Sequence, residues 1–502
     1  MKTSFKFTLL LFMAVFTFQS CQDNDDVAPP ASLDIQDFIW KGMNQYYLWQ
    51  ADVPNLADDK FADQTALNTF LRGYTVPEDL FDALRVDKTI DRFSWIVDDY
   101  LELEGTLQGT TKNNGVEFGL SRKPGSTTEI FGYVRYIIAN SNASNKNIKR
   151  GDYFTAVNGI QLTLTNYESL LFGSNENYTL NLADYNGTTI VANGKSVELT
   201  KTVLSENPIL INKVITSGSH KIGYLMYNGF YANYDTQLNE AFKYLMDEKV
   251  TDLVLDLRYN GGGSVQSATR LASMITDTKT YTGKVFAKQQ WNAKINAYFE
   301  TNNPGALLNN FTDKIGTTAI NSLNLTKVYI LTTQSTASAS ELVINGLEPH
   351  INVIQIGDVT VGKNVGSVTL YDSPTFGSEN RNPNHKYAMQ PIVLKIVNST
   401  GFGDYFNGLQ PDYLLKETIS TYGVLGNSEI KKINDKEELI SNEPLLDMAF
   451  AKITGRTTPT NRTSQSASGK DFEFFKDSKS MRRFQNQMYI ENAPEGLLKA
   501  LE

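Results

Sequence analysis

The chain has one cysteine in 502 residues, Cys21, so no intramolecular disulfide can form. Histidine is almost as scarce: only His220, His350 and His385 are present. None of them lies in a segment that reads as an active-site loop. No Cys/His cluster has metal-ligand spacing, so no metal and no cofactor is expected. Away from the N-terminus, no stretch reaches the roughly 18 apolar residues of a membrane-spanning helix. A formal net charge of −9 argues against nucleic acid as a partner. No internal repeat is evident. The shortage of histidine bears on catalysis, because a serine nucleophile needs a nearby base and histidine is the usual one.

A lysine can take that role if burial lowers its pKa towards neutrality. The sequence offers such a pair. Residues 335–341 read STASASE, and Lys363 follows Ser338 by 25 residues. Residues 327–333 (KVYILTT) form a β-branched and aromatic run that reads as a buried strand. Residues 341–347 (ELVINGL) read as a helix with Ser335 or Thr336 as its N-cap, and residues 352–357 (NVIQIG) as the next strand. Strand, helix and strand in this order form a right-handed crossover between parallel strands. Ser338 then lies just past the carboxyl end of the first strand, and Lys363 just past that of the second.

A third segment is expected at the same sheet edge. Residues 252–258 (DLVLDLR) read as a strand that runs into Tyr259, Asn260 and three glycines, Gly261 to Gly263. Glycines let backbone N–H groups approach a ligand closely, as an oxyanion hole requires. Gly262 or Gly263 is the expected donor, with the N–H of Ala339 as the second. Crevices at the carboxyl ends of parallel strands are where open α/β sheets bind ligands.

These residues resemble the C-terminal processing peptidases, or tail-specific proteases, a family of serine peptidases. The resemblance covers roughly residues 32–455. It identifies Ser338 with the family's nucleophile and the Gly362-Lys363 pair with its general base. The family's Asp-Leu-Arg-x-Asn-x-Gly-Gly stretch falls on Asp256, Leu257, Arg258, Asn260, Gly262 and Gly263. A downstream Gly-x-x-Pro-Asp falls on Gly408, Pro411 and Asp412, and residues 222–230 (IGYLMYNGF) look like the opening strand of the family core. The implied fold is an α/β catalytic core of ClpP/crotonase-like type, with an N-terminal helical cap and a PDZ-like β-rich domain. The implied activity is hydrolysis of peptides or unfolded proteins through a Ser-Lys dyad. One departure stands out. Many family members carry an orienting glutamine four residues after the lysine, and this chain has Ser367 there. Ser367 is accordingly the candidate third catalytic group, with a shorter reach. The departure also motivates a rival reading, a non-catalytic peptide-binding lipoprotein that keeps the peptidase fold.

Residues 1–21 read as a targeting segment. Lys2 and Lys6 provide a positive start, residues 7–18 (FTLLLFMAVFTF) an apolar stretch, and Ser20 a small residue before the cut. Cys21 directly after it resembles a bacterial lipobox, although Phe18 and Gln19 depart from the usual pattern. Lipidation of Cys21 would make an N-terminal lipid anchor the protein's only membrane attachment. Residues 22–31 form an acidic tether that resembles surface-export signals of Bacteroidetes lipoproteins. The expected location is the outer membrane, with the protein facing the periplasm or the exterior.

The remaining organisation follows from periodicity. Residues 32–104 read as a helical domain. Leu33, Ile35, Phe38, Ile39, Met43, Tyr46 and Tyr47 recur at near-helical spacing, and further helices are expected over 63–74 and 77–84. Residues 105–203 turn to strand patterns. There Lys149-Arg150-Gly151-Asp152 and Val157-Asn158-Gly159 resemble a PDZ signature. Phe118, Gly119 and Leu120 would be the substrate-binding loop that takes a peptide C-terminus by strand addition. Residues 204–455 carry the α/β pattern. Residues 454–469 are poor in apolar side chains and read as a linker, and the domain beyond the core, 456–502, reads as that linker and a C-terminal tail.

Overall fold

The computed structural model describes residues 29–417, 430–433, 438–441, 443–457, 474–482 and 487–491. The targeting segment, Cys21, most of the acidic tether and nearly all of the linker lie outside the described residues. Among the described residues no helix is long and apolar enough to cross a membrane.

The helical region forms where its apolar spacing predicts. The helix Asp34–Tyr46 buries Phe38, Ile39, Met43 and Tyr46 on one side. Gln64–Leu71 starts after Asp63, whose side chain accepts the N–H of Ala66 at 2.8 Å. It stops at Leu71, short of the expected Tyr74. Pro77–Ala83 begins on its proline, which suits the first helical position because the missing N–H would be unpaired anyway.

The core is a six-stranded sheet in the order Ile209–Ser217, His220–Tyr227, Asp252–Asp256, Lys327–Thr332, Asn352–Gly357 and Tyr413–Leu414. The first pair is antiparallel and the rest are parallel. Both faces of the central strands are buried, as their continuous apolar runs require. The helices Asp235–Asp247, Val265–Ile275 and Ala339–Leu347 pack on one face through Leu238, Phe242, Leu271, Leu342 and Val343. The helix Pro444–Thr454 covers the other through Leu445, Leu446 and Phe450. Strand, helix and strand over 327–357 therefore form the expected parallel crossover.

The β-rich region is an antiparallel sheet with its own core around Phe118, Phe154, Leu180 and Leu199. Its first strand in space is not from this region at all. Phe474–Asp477, from the C-terminal tail, pairs with Val116–Arg122. The tail enters a second six-stranded sheet too. There Met488–Tyr489 lies between Gly263–Ser264 and Val365–Ser367.

Candidate active site

Ser338 occupies an unusual backbone conformation, with φ +67° and ψ −118°. Such a conformation costs a non-glycine residue about 1–3 kcal/mol and persists only where surroundings enforce it. Here they do. Thr336 Oγ1 donates to Leu257 O at 2.9 Å, Ala337 N–H to Asn260 O at 3.1 Å, and Ser340 Oγ to Asn260 O at 3.0 Å. The loop is thus pinned to the turn that follows the Asp252–Asp256 strand. The helix begins at Ala339 with Ser338 at the cap position, not Ser335 or Thr336. Those two residues instead tie the loop to Asp477 and Leu257. Ser338 is buried, and among the described residues its Oγ has no hydrogen-bond partner.

Glu341 joins the two halves of the site. One of its carboxylate oxygens, Oε2, accepts the N–H of Ser338 at 2.6 Å and the N–H of Lys363 at 2.9 Å. The other, Oε1, accepts Gly362 N–H at 2.6 Å and Thr360 Oγ1–H at 2.5 Å. A single oxygen bonded to both N–H groups draws the backbones of Ser338 and Lys363 together, although 25 residues separate them. Burial raises the pKa of Glu341, and these same hydrogen bonds oppose the rise.

Lys363 is wholly buried. Its Nζ donates to Gln487 Oε1 at 3.3 Å and sits 4.4 Å from the centroid of the Phe93 ring. Burial pulls its pKa down to about 7, helped by the positive charge of Arg92 and resisted by Asp91 and Glu341. An amine that titrates there is partly neutral at physiological pH and can accept a proton. Arg92 also donates to Gly362 O at 2.7 Å and stacks on Phe406, 4.2 Å from the ring centroid. Asp91, Arg92 and Phe93 follow the helix Pro77–Ala83, so the helical region furnishes part of the site. Sequence reading missed these three and Gln487, because none lies in a periodic segment or a recognisable motif.

The glycine turn packs against Ser338. Gly262 has φ +108°, and a Cβ there would lie 2.5 Å from Ser338 Cβ and 2.6 Å from its Oγ. Only glycine fits. Gly262 or Gly263 is the expected oxyanion donor, and the structure engages the N–H of the first. That N–H donates to Asn260 Oδ1 at 2.9 Å, because the side chain folds back to brace the turn. Gly263, with φ +139°, presses so closely on Phe230 O that a Cβ would sit 2.2 Å from it. A small open cavity is lined by Gly261, Gly262, Gly263, Tyr231, Gln487 and Tyr489. Arg258, of the same motif, does not point there. It is buried in ion pairs with Asp256 at 2.6 Å, Glu417 at 2.7 Å and Glu443 at 2.8 Å, which hold the strand end in place.

Two further expectations meet occupied positions. The Ser367 hydroxyl donates to Met488 O at 3.1 Å and accepts from Gln390 Nε2 at 3.0 Å, so its proton is committed to the tail backbone. The edge at Phe118, Gly119 and Leu120 is not open to a free peptide. Gly119 faces Asp477 and Leu120 faces Lys476 in the strand pairing, and Phe118 N–H donates to Ser478 Oγ at 2.9 Å. The chain's own tail fills it. The histidines engage elsewhere: His220 with Asp252, His385 with Asp372, and His350 with Val285 O.

Residues 221–378 match the sequence profile of peptidase family S41, and residues 34–95 match the peptidase S41 N-terminal domain. A carboxyl-terminal-processing protease of Picosynechococcus sp. is 24% identical over 260 residues, 52% of this chain and 54% of the relative. The chloroplastic carboxyl-terminal-processing peptidase 1 of Arabidopsis thaliana is 26% identical over 234 residues, 45% of this chain and 42% of the relative. The chain thus spans about half the length of these curated relatives. Among solved structures, a Bacteroides fragilis protein provisionally assigned to the S41 proteases aligns with a TM-score of 0.62 at 25% identity. That alignment covers 86% of this chain and 99% of the other. With both its motif-bearing core and its helical N-terminal region matched, the chain carries peptidase S41 family domains and is homologous to the carboxyl-terminal processing proteases.

Proposed function

We propose that this protein is a lipid-anchored, extracytoplasmic serine endopeptidase that cleaves peptides or unfolded proteins with Ser338 as nucleophile and Lys363 as general base. The observation that carries the reading is the Glu341 carboxylate oxygen shared by the two backbones, beside an amine that titrates near 7. Neutral Lys363 takes the Ser338 proton as Oγ bonds to the substrate carbonyl carbon. The N–H of Ala339 and an N–H of the Gly261–Gly263 turn hold the resulting oxyanion. The ammonium then gives its proton to the departing amine as the C–N bond breaks, leaving an acyl-enzyme. Water attacks the ester, Lys363 receives its proton, and Ser338 Oγ leaves with that proton restored. The core is read as ClpP/crotonase-like and residues 105–203 as PDZ-like. Lipidation at Cys21 would hold the protein at the outer membrane.

A second reading, a peptide-binding lipoprotein without catalysis, is favoured by the complete burial of Ser338. One experiment separates the two. Wild type and Ser338→Ala are incubated with an unfolded protein and with a serine-reactive phosphonate. Cleavage and labelling of wild type alone support the peptidase. An unlabelled, inactive wild type supports the binder.

A further inference from the structure

We propose that Gln487, brought in by the C-terminal tail, is the positioning residue for Lys363. The proposal rests on the peptidase reading above. Where the resemblance leads one to expect a glutamine close after the lysine, this chain has Ser367, whose proton goes to Met488 O. The residue just before Met488 is Gln487, and its Oε1 accepts from Lys363 Nζ at 3.3 Å with both side chains buried. An amide oxygen acts differently from a carboxylate at this place. It accepts an N–H and so aims the nitrogen lone pair, yet it brings no charge that would hold the lysine as ammonium. Among the described residues, the charged groups that act on the amine are Asp91, Arg92 and Glu341.

The tail is built into the site rather than laid over it. Gly263 pairs with Met488 and Ser264 with Tyr489 on one side, and Ser367 pairs with Tyr489 on the other. Gln487 is therefore held between the glycine turn and the strand that follows Lys363. Upstream, Asp477 pairs with Arg135 at 3.1 Å and accepts Ser335 Oγ–H at 2.6 Å, next to the nucleophile loop. Arg482 pairs with Glu117 at 2.6 Å, and Lys479 donates to Asn228 O at 2.6 Å. Removing one partner from buried pairs of this kind is strongly destabilising, so these contacts keep the tail in place. Gln487 Nε2 is buried and has no partner among the described residues, and the side chain lines the cavity beside Gly261 to Gly263.

The test is steady-state hydrolysis of a fluorogenic peptide by the purified full-length protein between pH 5 and pH 10. Gln487→Met keeps the bulk and removes the acceptor. Its kcat should fall roughly tenfold to a hundredfold with little change in KM, since a base misplaced by ~1 Å can lose on the order of a hundredfold. Gln487→Glu places a carboxylate against the amine, and the acid limb of kcat should move up by about one pH unit. That shift reports contact between residue 487 and the amine, and the kcat loss of Gln487→Met at unchanged KM reports the positioning role, which a merely structural glutamine would not show. Wild-type kcat and an unmoved limb in both variants would overturn the proposal. So would a gain in activity, which would make the tail an obstruction. Wild-type protein that neither turns over nor takes a phosphonate label removes the peptidase reading itself, and this role with it.

Discussion

Replacing Lys363 with methionine tests whether burial has stripped the amine of its charge. Methionine keeps most of the side chain's length and suits the apolar contact with Phe93. The lysine falls from its ordinary value of 10.5 to about 7 in the folded protein. Between those values the unfolded chain binds a proton that the native chain does not. Stability therefore rises with pH through this window, and the penalty is largest below pH 7. At ~1.36 kcal/mol per pKa unit, the penalty is on the order of 5 kcal/mol at pH 6 and about 2 kcal/mol at pH 9. The variant carries no such term. Urea unfolding of both proteins, followed by tryptophan fluorescence at the two pH values, gives the comparison. Lys363→Met should be the more stable at pH 6, and its advantage should shrink by about 3 kcal/mol at pH 9. An advantage that does not change with pH would show that Lys363 keeps its ordinary titration, and the proposed base would be lost.

Two more substitutions probe the frame of the site. Gly262→Ala forces a Cβ to 2.5 Å from Ser338 Cβ at a φ of +108°. It should abolish peptide hydrolysis and phosphonate labelling while far-ultraviolet circular dichroism stays that of wild type; near-normal turnover would show that the glycine turn does not press on the nucleophile. Glu341→Ala leaves the N–H groups of Ser338, Gly362 and Lys363 buried without their acceptor. At about 1–3 kcal/mol per orphaned group, thermal melting should fall by several degrees and activity should vanish. A melting point equal to wild type would mean that Glu341 does not hold the two halves together.

The elements with strong local patterns were legible before any fold was known. Residues 352–357 form a strand over their full expected range, and 327–333 lose only the last residue. The nucleophile helix starts two residues before the expected Glu341, because a buried carboxylate reaches back to the cap N–H and draws Ala339 and Ser340 into the first turn. Residues 487–491 show no periodicity at all. Met488 and Tyr489 form a strand only because two partners flank them. The engagement of the Gly262 N–H was hidden for a similar reason, since the side chain that accepts it is two residues back in a turn of unknown shape.

What the amino-acid order alone determined is which residues stand at the carboxyl ends of strands: Ser338, Lys363 and the glycine run. Alternation of apolar runs and turn residues is a local property, and it places those ends without reference to the rest of the chain. What the tertiary structure decided is everything that depends on neighbours remote in sequence. These include the removal of water that brings Lys363 to about 7, the shared oxygen of Glu341, the reach of Asp91 to Phe93, and the insertion of Gln487. Solvation and charge act through space, so no local pattern records them.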